Sequence, residues 1–308
     1  MKDELEQTWA RHERGYTAYL NLERGLQDNS VKAYMADFAH LEHYGVEARL
    51  EPAEITVDHL RQLLLDMQQT GIAVTTQCRL ISGWRMFFKW LELEADAADN
   101  PAELLPMPSR GRHLPDVLSD ADISAIQATF DLSQPDQARN HAMVEVLYCC
   151  GLRVSELVGM KLSNIYPDEQ GLHIVGKGDK ERWVPIAPHA LDLLSLYIDT
   201  VRCHIQPKRG EENYVFLNRL GTHISRSYVF MFLKEAAHKA GIAKRVSPHS
   251  LRHSFATELV QNGADLRAVQ EMLGHESITT TEIYTHLTPD ILRSTITACH
   301  PHYRKDGV

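Results

Sequence analysis

The sequence has no apolar run approaching the roughly 18 residues needed to span a bilayer, which excludes a membrane-spanning helix. Its first six residues are acidic and contain no apolar segment, so they do not read as a secretory signal. Cysteine is scarce: Cys78, Cys149, Cys150, Cys203 and Cys299 are the five in 308 residues. The number is odd and no Cys-x-x-Cys occurs, which argues against a disulfide framework or a cysteine zinc site. Reduced cysteines in a cytoplasmic protein fit this pattern. Basic charge is also in short supply, with a net charge of −9 that points away from nucleic acid for the chain as a whole. The deficit is uneven. Residues 1–110 hold 11 Lys and Arg against 18 Asp and Glu, a balance of −7. Residues 161–252 hold 14 against 9, a balance of +5. Binding phosphate needs local positive charge, not a basic chain, so the second half retains that capacity.

What is present is helical periodicity. A first helix is expected over residues 5–22. Asn29 and Ser30 can cap a second, whose apolar positions Val31, Tyr34, Met35, Phe38 and Leu41 share one face. Thr56 precedes a third (Val57, Leu60, Leu63, Leu64, Met67) that stops near Gly71. A fourth begins near Thr75 and carries Leu80, Ile81, Trp84, Phe87, Phe88 and Leu91. Together these predict a four-helix bundle. Residues 100–115 are rich in Pro and Gly and read as a linker, dividing a helical domain (1–110) from a second domain (111–308). Ser119 is an N-cap candidate for a helix over 121–130. Within the second domain, residues 172–176 and 182–186 are two β-prone runs around Lys177, Gly178, Asp179 and Lys180, the pattern of a β-hairpin.

The chemistry-bearing residues gather towards the C-terminus. Ser247 and Pro248 open a helix, a capping Ser with Pro at the first helical position. His249 and Arg252 follow three residues apart and project from one face. His, Arg and a helix N-terminus make a credible phosphate seat. Leu251, Phe255 and Leu259 face the core, and the helix ends at Asn262 and Gly263. A further helix runs from Asp265 to Gly274, with His275 directly after it. Another starts near Ser277 or Thr279, where Thr279 and Glu282 can form a capping box. Tyr284 lies nine residues beyond His275. Taken singly, such a His is more often a cap, such a Tyr core, and such an Arg surface charge. His249 and His253 imitate a zinc pair, but Ser250 stands where a metalloprotease needs its glutamate.

The segments around these residues resemble the motifs of tyrosine recombinases, the phage integrase family. Residues 150–157 (Cys-Gly-Leu-Arg-Val-Ser-Glu-Leu) are similar to the first arginine motif, and residues 247–257 to the His-x-x-Arg motif. Residues 273–281 resemble the motif of the second His, residues 283–286 (Ile-Tyr-Thr-His) the nucleophile segment, and residues 176–182 the hairpin lysine. Residues 22–34 resemble the N-terminal core-binding domain of the Xer and integrase subfamilies. The motifs occur in family order and cover essentially the whole chain.

The resemblance implies a mainly α fold with a small antiparallel β-sheet: a helical-bundle core-binding domain and a catalytic domain forming a clamp around DNA. It implies Tyr284 as the nucleophile that forms a 3′-phosphotyrosine and releases a 5′-hydroxyl. Arg153 and Arg252 would hold the non-bridging oxygens, and His275 would add a hydrogen bond. His249 would assist proton transfer, Lys177 would protonate the leaving oxygen, and Glu156 would orient the arginine-bearing helix. No metal, cofactor or ATP is implied, and the sequence has nothing like the acidic cluster of two-metal nucleases. The implied partners are a double-stranded recombination site and a homo- or hetero-tetramer with a second recombinase. A septal, FtsK-like DNA translocase is a further one. No membrane is involved, and the location is cytoplasmic and nucleoid-associated. Length and the lack of an arm-binding domain resemble Xer recombinases, which resolve chromosome or plasmid dimers. The alternatives are an integrase of a phage or mobile element, a monomeric type IB topoisomerase-like enzyme and a non-catalytic DNA-binding protein. Residues 288–292 begin a tail helix with Ile291, Leu292 and Ile296 as its apolar side. The family implies docking on a neighbouring protomer; packing on its own domain is the plainer alternative.

Overall fold

A computed structural model of the chain describes residues 2–94, 96–97, 99–109, 116–176, 180–274 and 289–303. The chain divides into two compact units, residues 1–113 and 114–308.

In the first unit, α1 (Lys2–Ala18) runs into a wider helical turn over Tyr19–Glu23 and is followed by α2 (Asp28–Ala48), α3 (Val57–Gln69) and α4 (Val74–Leu93). Their apolar faces meet in an aromatic core built on Trp9, Tyr16, Phe38, Trp84 and Phe87, all essentially inaccessible to water. The rings pack edge-on or tilted: Tyr16–Phe87 centroids are 5.3 Å apart at 79°, and Phe38–Phe87 are 4.9 Å apart at 62°. These are the arrangements the ring quadrupole favours. Two of the buried indoles are hydrogen-bonded to backbone, Trp9 Nε1 donating to Leu50 O and Trp84 Nε1 to Asp37 O, each at 3.0 Å. Thr56 caps α3 by accepting the His59 amide. The Asn29–Ser30 cap is corrected: α2 starts at Asp28, and its cap, Gln27, makes no side-chain bond. The Asp28 carboxylate in the first turn complements the helix dipole instead.

In the second unit, α5 (Asp120–Gln127) is capped by Ser119 and Asp122 in a reciprocal box. It stops short of Phe130 because the Thr129 amide turns tightly onto Ile126 O. α6 (Pro135–Cys150) is central, with a buried run from Ala142 to Cys150, the signature of a helix surrounded by other elements. A short α7 (Val154–Val158) leads to an antiparallel sheet ordered β1 (Ile165–Tyr166), β2 (Gly171–Val175) and β3 (Glu181–Pro185). The expected hairpin strands are present one residue earlier, with Ile174 opposite Arg182 and Leu172 opposite Val184. The two-residue β1 is too short to leave an alternating signal. Five further α-helices follow among the described residues: α8 (Pro188–Thr200), α9 (Arg226–Lys239), α10 (Pro248–Gln261), α11 (Leu266–Leu273) and α12 (Pro289–Cys299). Among the described residues no helix is long and apolar enough to cross a membrane.

The tail departs from the expectation of docking on a neighbour. Leu292, Ile296, Cys299 and Tyr303 are buried in the core of their own unit, and the Tyr303 hydroxyl donates to Pro185 O at 2.8 Å. Ile291 is 45% exposed and does not belong to the apolar side. Leu292 and Ile296 lie four apart on the face that meets the core, and Ile291 falls off that face.

Candidate active site

The site starts with the end of α6. The helix closes on Gly151 at φ 57°, the left-handed region that favours glycine. A Cβ there would stand 2.4 Å from the Phe255 ring of α10, so the glycine also permits close contact between the two helices. Two residues on, Arg153 precedes α7, and Glu156 reaches back to accept the Arg153 amide at 2.8 Å. This is the carboxylate half of a capping box.

Glu156 is the hub. Its side chain is 2% exposed and carries two guanidiniums directly. Arg153 Nη1 donates to Oε1 at 2.8 Å. Arg182, from β3, donates bidentately, Nη1 to Oε1 at 2.7 Å and Nη2 to Oε2 at 2.8 Å. Arg252 Nη1 stands 4.0 Å from Oε2. Burial pushes the Glu156 carboxyl up, but the Arg182 hydrogen bonds and charge, with those from Arg153, outweigh it and hold the group below the usual carboxylate range. Burial and the neighbouring Arg153 charge lower Arg252 to about 10, partly offset by Glu156, so it remains protonated at neutral pH.

The same three arginines hold the end of α11. Arg182 Nε donates to Met272 O at 2.8 Å, Arg252 Nη2 to Leu273 O, and Arg153 Nη2 to Gly274 O at 2.7 Å. Three successive carbonyls that the helix itself leaves unbonded are thus each met by a different guanidinium. The negative end of the helix dipole favours those charges. Arg252 also donates to Gly151 O at 2.8 Å, tying α10 to the end of α6. Gly274 caps α11 at φ 64° with Arg182 against it. The end of α11, up to Gly274, is therefore fixed by three arginines.

Three guanidiniums against one carboxylate leave a surplus of two positive charges in one place. Arg153 is the most accessible of the three, its side chain 33% exposed against about a tenth for the other two. His249 is exposed in the first turn of α10, whose N-terminus is capped by the Ser247 hydroxyl accepting the Ser250 amide at 3.1 Å. The structure thus brings Arg153 and Arg252 together around Glu156 and sets His249 one turn before Arg252. Lys177, His275 and Tyr284 lie outside the described residues, as does the capping box expected from Thr279 and Glu282. Arg182 is the residue that reading the sequence did not single out. Its signal was a lone arginine in a β-prone run, and nothing in the spacing joins it to Glu156, 26 residues earlier.

Comparison with known proteins decides the family. A model of the phage integrase family matches residues 116–290, and a model of the phage integrase N-terminal SAM-like domain matches residues 14–95. The chain belongs to the phage integrase family. It is 37% identical over 287 residues to the tyrosine recombinase XerD of Staphylococcus aureus, covering 93% of this chain and 97% of the relative. The identity to XerD of Listeria monocytogenes serotype 4b is 36% over 285 residues, 92% and 96% of the two chains. It is accordingly a site-specific tyrosine recombinase of the Xer type, an enzyme with a catalytic integrase domain. Its fold is shared with the XerH recombinase solved with a palindromic difH substrate after cleavage (TM-score 0.68, 22% identity, 96% of this chain and 84% of that one). It is shared too with the Tn1549 transposon integrase solved with a circular-intermediate DNA (TM-score 0.70, 17% identity, 94% and 98%).

Proposed function

We propose that the protein cuts and rejoins double-stranded DNA at a specific recombination site through Tyr284, in the manner of Xer enzymes that resolve chromosome or plasmid dimers. The observation that carries this reading is the arginine ring. Arg153 and Arg252 sit in one pocket of surplus positive charge, oriented by a buried carboxylate and a helix end, as a phosphate seat requires.

The Tyr284 hydroxyl attacks the scissile phosphorus. A bond forms from the phenolic oxygen to phosphorus, and the bond to the 5′ oxygen breaks. His249 takes the phenolic proton, and Lys177 gives a proton to the departing 5′ oxygen. Arg153 and Arg252 stabilise the charge that builds on the two non-bridging oxygens, with a hydrogen bond from His275. Guanidiniums suit this task because they remain charged and present paired donors. The 3′-phosphotyrosine conserves the phosphodiester energy, so religation reverses the same step without ATP. Glu156 and Arg182 act by positioning: they hold Arg153 and the carbonyls at the end of α11.

The relatives named XerD favour dimer resolution over mobile-element integration. On this reading the enzyme works as a tetramer, alone or with a second recombinase, on the nucleoid in the cytoplasm, under an FtsK-like septal DNA translocase. The test is a suicide assay, in which nicked duplexes carrying candidate recombination sites are mixed with the wild-type protein and with Tyr284→Phe. Wild type should yield a protein–DNA adduct on a denaturing gel, and Tyr284→Phe should bind the same DNA without one. DNA binding by both proteins with an adduct from neither, on any site and with any second recombinase, would refute the enzyme reading.

A further inference from the structure

Around the C-terminal half of α6, four side chains with metal-ligating atoms converge. Glu145 and Cys149 lie one turn apart on α6, His189 is in the first turn of α8, and His302 is in the short turn Pro301–Tyr303 that follows α12. The ligand atoms of all four fall within 4.8 Å of one another. Three of them face a single carboxylate oxygen: Cys149 Sγ, His189 Nε2 and His302 Nδ1 each stand 2.8 Å from Glu145 Oε1. Cys149 Sγ and His302 Nδ1 are 3.6 Å apart.

We propose that Glu145, Cys149, His189 and His302 form a structural site for one divalent cation of the zinc class. One sulfur, two imidazole nitrogens and one carboxylate oxygen are the donors that such an ion accepts in tetrahedral array. With bonds of about 2.0–2.3 Å, neighbouring ligand atoms stand roughly 3.3–3.5 Å apart. The sulfur and the His302 nitrogen already have this spacing. The carboxylate would draw back by about half an ångström to admit the ion between the four groups.

Two outer contacts strengthen the assignment. His302 Nε2 meets Asp120 Oδ1 at 2.8 Å, so the nitrogen turned away from the cluster is held by a carboxylate. That contact leaves Nδ1 free to coordinate, as carboxylate–histidine–metal triads do. The far oxygen of Glu145 accepts a hydrogen bond from Gln127 Nε2, which fixes the ligand's plane. Glu145 and Cys149 are buried while the His189 side chain is 49% exposed, giving the ion a way in. The ligands are up to 157 residues apart, so the ion would tie α6, α8 and the C-terminal turn into one piece. Cys149 is four residues before Arg153 in the chain, at the end of α6 that leads into the first arginine motif.

The test is a cobalt(II) titration of the full chain with Cys203→Ser as background. That removes the exposed thiol beside His204, an unrelated S–N pair 3.1 Å apart. One equivalent of cobalt should give a thiolate-to-metal charge-transfer band, and zinc should bleach it. Cys149→Ser should abolish the band. His189→Gln, at a half-exposed position and checked for folding by circular dichroism, should weaken binding about tenfold or more. The proposal is overturned by a folded protein that shows no such band at saturating cobalt, by a band that survives Cys149→Ser, or by one that His189→Gln leaves unchanged. The first outcome would mark the cluster as a proton-sharing network in which His302 bridges Glu145 and Asp120.

Discussion

Each unit buries one carboxylate against arginine, and the two behave in opposite ways. Asp37 in α2 is 3% exposed and meets one guanidinium, that of Arg79, which is itself 46% exposed. Burial raises its pKa, and the Arg79 charge and hydrogen bond do not bring it back. Glu156 is just as buried, yet its pKa is lowered, because Arg182 binds it with both arms and Arg153 adds a side-chain and a backbone bond. The comparison teaches that a buried carboxylate's pKa falls when enough of its lone pairs are met by charged donors, and that a single half-solvated partner does not offset burial. In the first unit burial outweighs the single Arg79 contact at Asp37. The second must keep an anion, since three guanidiniums packed together would otherwise repel one another.

The largest effect that should separate the two sites is removal of the anion. Glu156→Gln leaves three buried or half-buried guanidiniums without their counter-charge and should destabilise the second unit by about 3–5 kcal/mol, read from urea unfolding. A loss under about 1 kcal/mol would show that the carboxylate is dispensable to the ring. Next is Arg182→Lys, which keeps the charge and loses the bidentate bond and the contact with Met272 O. Adduct formation on a suicide substrate should fall about 100-fold while DNA binding is retained, because Arg153 and the end of α11 lose their register. Rescue by neither Lys nor Gln, with folding intact, would separate positioning from simple charge.

The pH dependences should have opposite signs. Glu156 has a folded pKa below its unfolded one, so its contribution is present above the unfolded value of about 4.3 and is lost as pH falls through the folded value. Asp37 has a raised folded pKa, so its ionisation opposes folding as pH rises from the unfolded value through the folded one. On acidification towards about pH 3, amide exchange should accelerate in α7 and β3 before it does in α2 and α4. Equal acceleration in both would undo the contrast. The smallest effect is Asp37→Asn, which should change stability by no more than about 1 kcal/mol at neutral pH, since Arg79 can turn to water.

What the sequence discloses differs between the units for a related reason. Helical periodicity announces α1 to α4, because each buries one apolar face, as Phe38 and Leu41 do in α2 and Trp84, Phe87 and Leu91 do in α4. The caps at Thr56, Ser119 and Ser247 are equally local and equally readable. Arg153 and Arg252 stand out through their motifs, and the structure brings them together. Arg182 does not stand out, because its acceptors are Glu156 and a backbone carbonyl of α11, and neither spacing nor residue type records a contact to a carbonyl. The cluster of Glu145, Cys149, His189 and His302 is hidden for the same reason: two of its members come from other elements, and no Cys-x-x-Cys marks it. The tail helix is visible as amphipathic, but periodicity cannot say which core its apolar side enters, and here Leu292 and Ile296 enter their own.

The account stands or falls on where the DNA becomes attached. Wild-type protein trapped on a suicide substrate would be digested with protease and nuclease, and the residual nucleotide located by tandem mass spectrometry. The account predicts a 3′-phosphonucleotide on the Tyr284 hydroxyl and none on any peptide of Tyr284→Phe. A nucleotide on another residue, or an adduct that persists in Tyr284→Phe, would contradict it.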